Sequence, residues 1–196
     1  MKKILFIFSL FNYFLVSAQF NGNYDVSYWT LTNINGNGSV NATGMPTSFI
    51  LNGTDNLYVE GSTYYTVTVD NNTEQISFSW DYTTDDGAEY DYPRIQINEG
   101  TPVTFTGFST ALGASNQQGT MTVSVTPGDS FAFEMYSVDG CCGAASVTIS
   151  DFQIQTISSS LFLNKYGAMV SDRATRVNEN GALGVSGIDQ NGKKSN

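Results

Sequence analysis

The sequence predicts an all-β protein, an antiparallel β-sandwich with a short Gly/Asn-rich extension at its C-terminal end. Three observations predict it. Short runs of alternating apolar and polar residues recur between residues 20 and 157. Gly, Asn, Asp and Pro separate those runs. After the first 18 residues, no apolar stripe at helical spacing competes with them.

The chain opens with Met1-Lys2-Lys3, an apolar run from Ile4 to Val16 interrupted by Asn12, and then Ser17-Ala18-Gln19. A basic start, a short apolar stretch and a small-residue site make up a secretory signal peptide. Residues 1–18 are therefore expected to be removed by cleavage after Ala18. The run is short for a bilayer span, and no later apolar stretch reaches roughly 18 residues. The expected product is soluble, secreted or held at the cell surface, and not inserted in a membrane. The style of this signal resembles those of Gram-negative Bacteroidetes.

In the expected domain, residues 20–157, Tyr28-Trp-Thr-Leu-Thr32 and Ser48-Phe-Ile-Leu51 read as strands, with turns at Asn35–Ser39 and Asn52–Asn56. Thr63–Val69 is rich in β-branched and aromatic residues. Ile76–Tyr82 alternates strictly, so Ile76, Phe78, Trp80 and Tyr82 face one way and Ser77, Ser79 and Asp81 the other. Met121–Val125 alternates, Pro127-Gly128-Asp129 turns the chain, and Ser130–Tyr136 follows. Ala145–Ile154 is expected to alternate again. Beyond Ser158-Ser-Ser160 the pattern changes to apolar residues followed at a fixed distance by Gly167, Gly181 and Gly192. Residues 158–196 are expected to form short hairpins, a stalk or a linker leading toward neighbouring domains of a larger protein.

Charge and composition exclude several functions. Histidine is absent from all 196 residues, which removes Ser-His-Asp and Cys-His catalysis and the usual zinc ligands. Residues 20–160 carry one basic side chain, Arg94, against 15 Asp and Glu, a net charge of −14. Such a body repels nucleic acid and anionic membranes. It suits cations or neutral partners such as glycans, although low basic content also serves solubility alone.

The densest chemistry lies between Trp80 and Pro93. Asp81, Asp85, Asp86, Glu89 and Asp91 fall within 11 residues, interleaved with aromatic side chains. A hard cation such as calcium needs six to eight oxygen ligands, and a loop of alternating carboxylates supplies several. The spacing is not that of an EF-hand. Asp81, Asp85, Asp86 and Asp91, with Asp139 from the later Asp139-Gly-Cys-Cys-Gly143 loop, are the candidate calcium ligands. A solvated acidic loop is the competing reading. Paired carboxylates also raise glycoside hydrolysis, but catalytic pairs usually face each other from separate strands rather than from one loop. Tyr82, Tyr90, Tyr92 and Tyr136 are candidate sugar-stacking rings, against the reading of ordinary sandwich core. Cys141 and Cys142 are adjacent and are the only cysteines. In an oxidising compartment they form a vicinal disulfide, an intermolecular bridge, or a packed pair of small residues.

The succession Trp29-Thr-Leu-Thr, Ile76–Tyr82, Tyr90-Asp-Tyr-Pro, Gly128-Asp-Ser-Phe-Ala-Phe and Gly143–Phe152 resembles a β-sandwich module of secreted Bacteroidetes and cyanobacterial surface proteins over residues 25–155. That resemblance implies location and a jelly-roll-type fold. Tyr90-Asp-Tyr92 also resembles the core strand of CUB domains, which implies calcium held by an Asp matching Asp91 and a downstream Asp matching Asp139. Asp81 and Asp85 straddle the place of the upstream acid, and the usual CUB disulfides are missing. The reading that results is a non-catalytic adhesion or binding module, calcium-dependent and directed at a cell-surface glycan or protein. The alternatives are a carbohydrate-active hydrolase using loop carboxylates and a structural spacer with no ligand.

Overall fold

The computed structural model describes residues 19–56, 59–156, 161–163 and 169–171. The expected signal peptide and most of the glycine-spaced C-terminal repeats lie outside those residues. The chain divides into two compact units, residues 1–156 and 157–196. In the second, Leu161–Leu163 pairs antiparallel with Met169–Ser171.

The first unit is a β-sandwich. Its strands are β1 (Thr30–Ile34), β2 (Ser39–Asn41), β3 (Ser48–Asn52), β4 (Gly61–Thr68), β5 (Thr73–Thr83), β6 (Asp91–Ile97), β7 (Val103–Thr104), β8 (Asn116–Ser124), β9 (Ser130–Ser137) and β10 (Ser146–Thr156). They form two five-stranded sheets, in the orders β1-β4-β9-β6-β7 and β2-β3-β10-β5-β8. Every neighbouring pair is antiparallel.

Alternation decides which side chains meet between the sheets. From β5, Ile76, Phe78, Trp80 and Tyr82 are all buried, as the sequence predicts. β9 contributes Phe131, Phe133 and Met135, and β3 contributes Phe49 and Leu51. The aromatic rings pack edge to face: Phe78 lies 4.9 Å from Phe133, and Phe49 lies 5.1 Å from Tyr65. Such pairs add about 0.5–1.5 kcal/mol each to the burial of their area.

The N-terminal segment closes one side of the core. Phe20 stacks on Phe152 at 4.5 Å, and Trp29 donates its indole N–H to the Tyr24 carbonyl at 2.9 Å. Trp29 precedes β1 rather than starting a strand at Tyr28, because two short 3-10 turns occupy residues 22–28. β10 departs from simple alternation as well. Its register on β5 skips between Ser150 and Gln153, and Asp151 has φ 48°. This bulge inserts one residue, so core positions change from Val147 and Ile149 to Phe152.

Candidate functional site

Two regions carry the chemistry: an acidic end of the sandwich and a trough on the outer face of the first sheet.

At the acidic end, Asp91 begins β6 on its core-facing side, opposite Ser137 of β9. It is fully buried, and neither carboxylate oxygen accepts a hydrogen bond of good geometry. Burial pushes its carboxyl up to about 7. The nearby Ser137 hydroxyl opposes that shift, while the charges of Asp86, Asp139 and Asp55 add to it. Asp86 is raised too, by burial first and then by Asp139. Its Oδ2 is buried without a partner, as are Glu89 Oε2 and Asn56 Oδ1.

Backbone bonds hold this end together. Tyr90 N and Asp91 N both donate to the Gly87 carbonyl, and Val138 N donates to the Tyr90 carbonyl at 2.7 Å. Asn56 N donates to the Gly140 carbonyl at 2.8 Å, pinning the 53–56 segment to the cysteine turn. Gly140 is required there: at φ 59°, an added Cβ would stand 2.4 Å from the Val59 carbonyl oxygen. A disulfide joins Cys141 to Cys142, and Cys141 N donates to Asp139 Oδ1 at 3.3 Å.

Of the five candidate calcium ligands, Asp86, Asp91 and Asp139 come within electrostatic reach of one another. Asp81 does not join them. It is exposed on β5 in register with Thr148 and Gln118, because core placement of Trp80 and Tyr82 sends it to the outer face of the second sheet. Asp85 is exposed beside Gly143. Asp55 and Asn56 were not legible as members of this end, whereas Glu89 belonged to the acidic run the sequence showed but was not singled out as a ligand. Asp55 and Asn56 lay in what reads as a plain turn. Among the described residues, no three acidic side chains stand close enough to ligate one ion as placed.

The trough lies across β1, β4, β9 and β6. Cross-strand register sets three outward-facing rows: Ile34–Ser62–Tyr136–Tyr92, then Thr32–Tyr64–Glu134–Arg94, then Thr30–Thr66–Ala132–Gln96. The third row has short side chains on its first three strands, so it forms a floor. The taller Tyr64 stands beside it. The resulting hollow has a volume of about 530 Å³, with Ser130 and Glu99 completing its lining.

The middle row is held by an ion pair. Arg94 Nε donates to Glu134 Oε2 at 2.8 Å and Nη2 to Oε1 at 2.6 Å, and Ser62 Oγ donates to Oε1 at 2.7 Å. Burial works against the Arg94 charge, and these bonds outweigh it, leaving the guanidinium's pKa raised. Glu134 itself is fully buried.

The four candidate stacking tyrosines are placed differently from one another. Tyr82 is 0 % exposed, which corrects its assignment to a ligand: it faces the core and donates its hydroxyl to the Asp91 carbonyl. Burial raises its pKa strongly. Tyr136 has a ring face covered by Arg94, whose guanidinium carbon lies 3.8 Å from the ring centroid. Its hydroxyl donates to Glu60 at 2.7 Å, and burial, then Glu60, push it up to about 12. Tyr92 meets Tyr136 edge to face at 5.2 Å. Tyr90 is 41 % exposed at the acidic end, away from the trough rows. The ring that lines the trough is Tyr64. Its signal was present in the sequence, since burial of Tyr65 sends its neighbour Tyr64 outward.

No family model matches this chain, and no curated protein matches it. Solved structures of similar shape include a mannan-recognising carbohydrate-binding module, TmCBM27, at 8% identity and a TM-score of 0.44, covering 74% of this chain and 98% of that one. The family 11 carbohydrate-binding module of the cellulosomal cellulase Lic26A-Cel5E of Clostridium thermocellum matches at 11% identity and 0.41, over 72% and 93% of the two chains. The CBM22-1 xylan-binding domain of Paenibacillus barcinonensis Xyn10C matches at 15% identity and 0.41, over 73% and 94%.

Proposed function

We propose that this chain is an exported, non-catalytic glycan-binding module that acts in attachment at a cell surface. Its ligand lies in the trough across β1, β4, β9 and β6. The observation that carries this reading is the lining itself. One tyrosine ring stands beside a floor of hydroxyl and amide groups, in a hollow of about 530 Å³. Apolar ring and convergent polar groups are what a sugar requires: a flat face to stack on, and partners for its hydroxyls. Glycoside hydrolysis needs two carboxyl groups flanking the bond. Among the described residues that line the trough, Glu99 is the single carboxylate.

Calcium belongs to this proposal as a structural ion at the acidic end. The donors there are all oxygens, the chemistry calcium prefers. A fully buried carboxylate with no well-formed hydrogen bond is costly unless something compensates it. An ion held by Asp91, with Asp86 and Asp139 drawn in from their turns and Asp55 adding charge, supplies that compensation. This end is distinct from the trough, so the ion stiffens the module rather than touching the sugar.

Two measurements test the proposal. Affinity electrophoresis in gels carrying soluble mannan, xylan or mixed-linkage glucan is expected to retard the protein with no release of reducing ends. Equal mobility in all gels would remove the glycan reading, and release of reducing ends would favour the hydrolase. Thermal melts with chelator and with calcium are expected to differ, and coincident melts would remove the ion.

A further inference from the structure

The turn that brings Glu99 to the trough has an unfavourable backbone. Gly100 N donates to the Ile97 carbonyl at 2.9 Å, and the two residues between, Asn98 and Glu99, have φ of 51° and 55°. Positive φ at both central positions is the pattern of a type I′ turn, which favours Asn-Gly. Asn98 satisfies the first position. It tolerates the left-handed region, and its side chain is fixed by Asp129 Oδ1 at 2.7 Å and Ser130 N at 2.8 Å. At the second position, where glycine is expected, the chain carries Glu99.

Nothing in the fold accounts for that choice. Glu99 is exposed, and among the described residues no hydrogen bond or ion pair engages its carboxylate. Strain held at a residue without a structural partner points to function when the same residue lines a cavity. Gln96 reinforces the arrangement: its Nε2 donates to the Gly100 carbonyl at 2.9 Å, tying the turn to the trough floor.

We propose that Glu99 is a specificity-determining residue of the trough, whose carboxylate accepts hydrogen bonds from the hydroxyls of a neutral glycan and turns away polyuronates. This rests on the glycan reading above. A carboxylate with no cation beside it accepts hydroxyl donors as strong, charge-assisted bonds. The nearest basic group along the sheet, Arg94, is already engaged by Glu134. A uronate carboxylate entering the trough therefore meets a bare like charge.

The test uses isothermal titration of soluble mannan, xylan, mixed-linkage glucan and polygalacturonate into the wild type, Glu99→Gly, Glu99→Gln and Tyr64→Ala. The wild type is expected to bind at least one neutral polysaccharide and to bind polygalacturonate at least tenfold more weakly. Glu99→Gln and Glu99→Gly are both expected to lose about tenfold or more in affinity. Glu99→Gly is also expected to hold or raise the melting temperature, because it relieves the turn. A wild type that binds none of the four polymers removes the glycan reading itself. If the wild type binds, Tyr64→Ala weakens it and both Glu99 variants bind unchanged, only the role of Glu99 is overturned. Polygalacturonate binding as tight as the neutral polymers overturns it too. So does a clear fall in the melting temperature of Glu99→Gly, since the turn then holds no strain to explain.

Discussion

Asp91 shows how one residue sets the behaviour of an end of the fold. Its buried carboxyl titrates near 7 rather than at the ordinary 3.8, chiefly because burial disfavours the charged form. A carboxyl raised in the folded state contributes stability that is fully present below about pH 3.8. That stability is lost as pH rises through about 7. In chelator, melts of the wild type are therefore expected to fall across that window. Asp91→Asn removes the charge and is expected to flatten the fall, melting above the wild type at pH 8 in chelator. With calcium the proposed ion site predicts the reverse order, because the variant lacks the Asp91 carboxylate. Melts of the two proteins in both buffers check this, and a pH-independent wild type would show that Asp91 is not strained by its burial. Gly119 is a second residue with a clear physical cause. A Cβ there would stand 2.6 Å from the Trp80 ring. Gly119→Ala must displace that indole, and a loss of about 1–3 kcal/mol in denaturant unfolding is expected from overpacking.

Elements were legible where alternation was unbroken. The core face of β5 followed from Ile76 to Tyr82 alone. The same alternation also placed Asp81 outside, so its candidacy as an ion ligand conflicted with information the sequence already held. β10 was legible only in part. The apolar residues Val147, Ile149, Phe152 and Ile154 change parity after Ile149, and a bulge is the physical reading of that change. The bulge at Asp151 turns Phe152 into the core against Phe20. Asp151→Val forces a β-branched residue to φ 48° and is expected to cost about 1–2 kcal/mol. Asp151→Gly should be near neutral. Chemical denaturation of both variants decides it, and equal loss in the two would mean that backbone conformation is not the cause. The trough was not legible. Its rows join β1, β4, β9 and β6, strands far apart in sequence whose order no local pattern encodes. For the same reason Glu134 could not be seen as the partner of Arg94.

At the scale of the whole molecule, the proposed function divides between two regions. An ion at the acidic end would fasten the turns around Asp86 and Asp139 to the start of β6, and the trough would present one face of the first sheet to a glycan. Calcium in hundredfold excess over its dissociation constant is expected to add about 2.7 kcal/mol of stability. Because the proposed ion site is distinct from the trough, sugar affinity should change far less than stability when chelator is added. Calorimetric titration with and without chelator checks that separation, and loss of sugar binding in chelator would place the ion at the ligand instead. The face proposed to bind is tested most directly by the map of backbone amide shifts on titrating a soluble neutral polysaccharide that the protein binds. Shifts are expected to concentrate at Thr30–Thr32, Tyr64–Thr66, Gln96–Glu99 and Ser130–Ala132. Shifts centred instead on Asp81, Gln118 and Thr148, on the outer face of the other sheet, would contradict it.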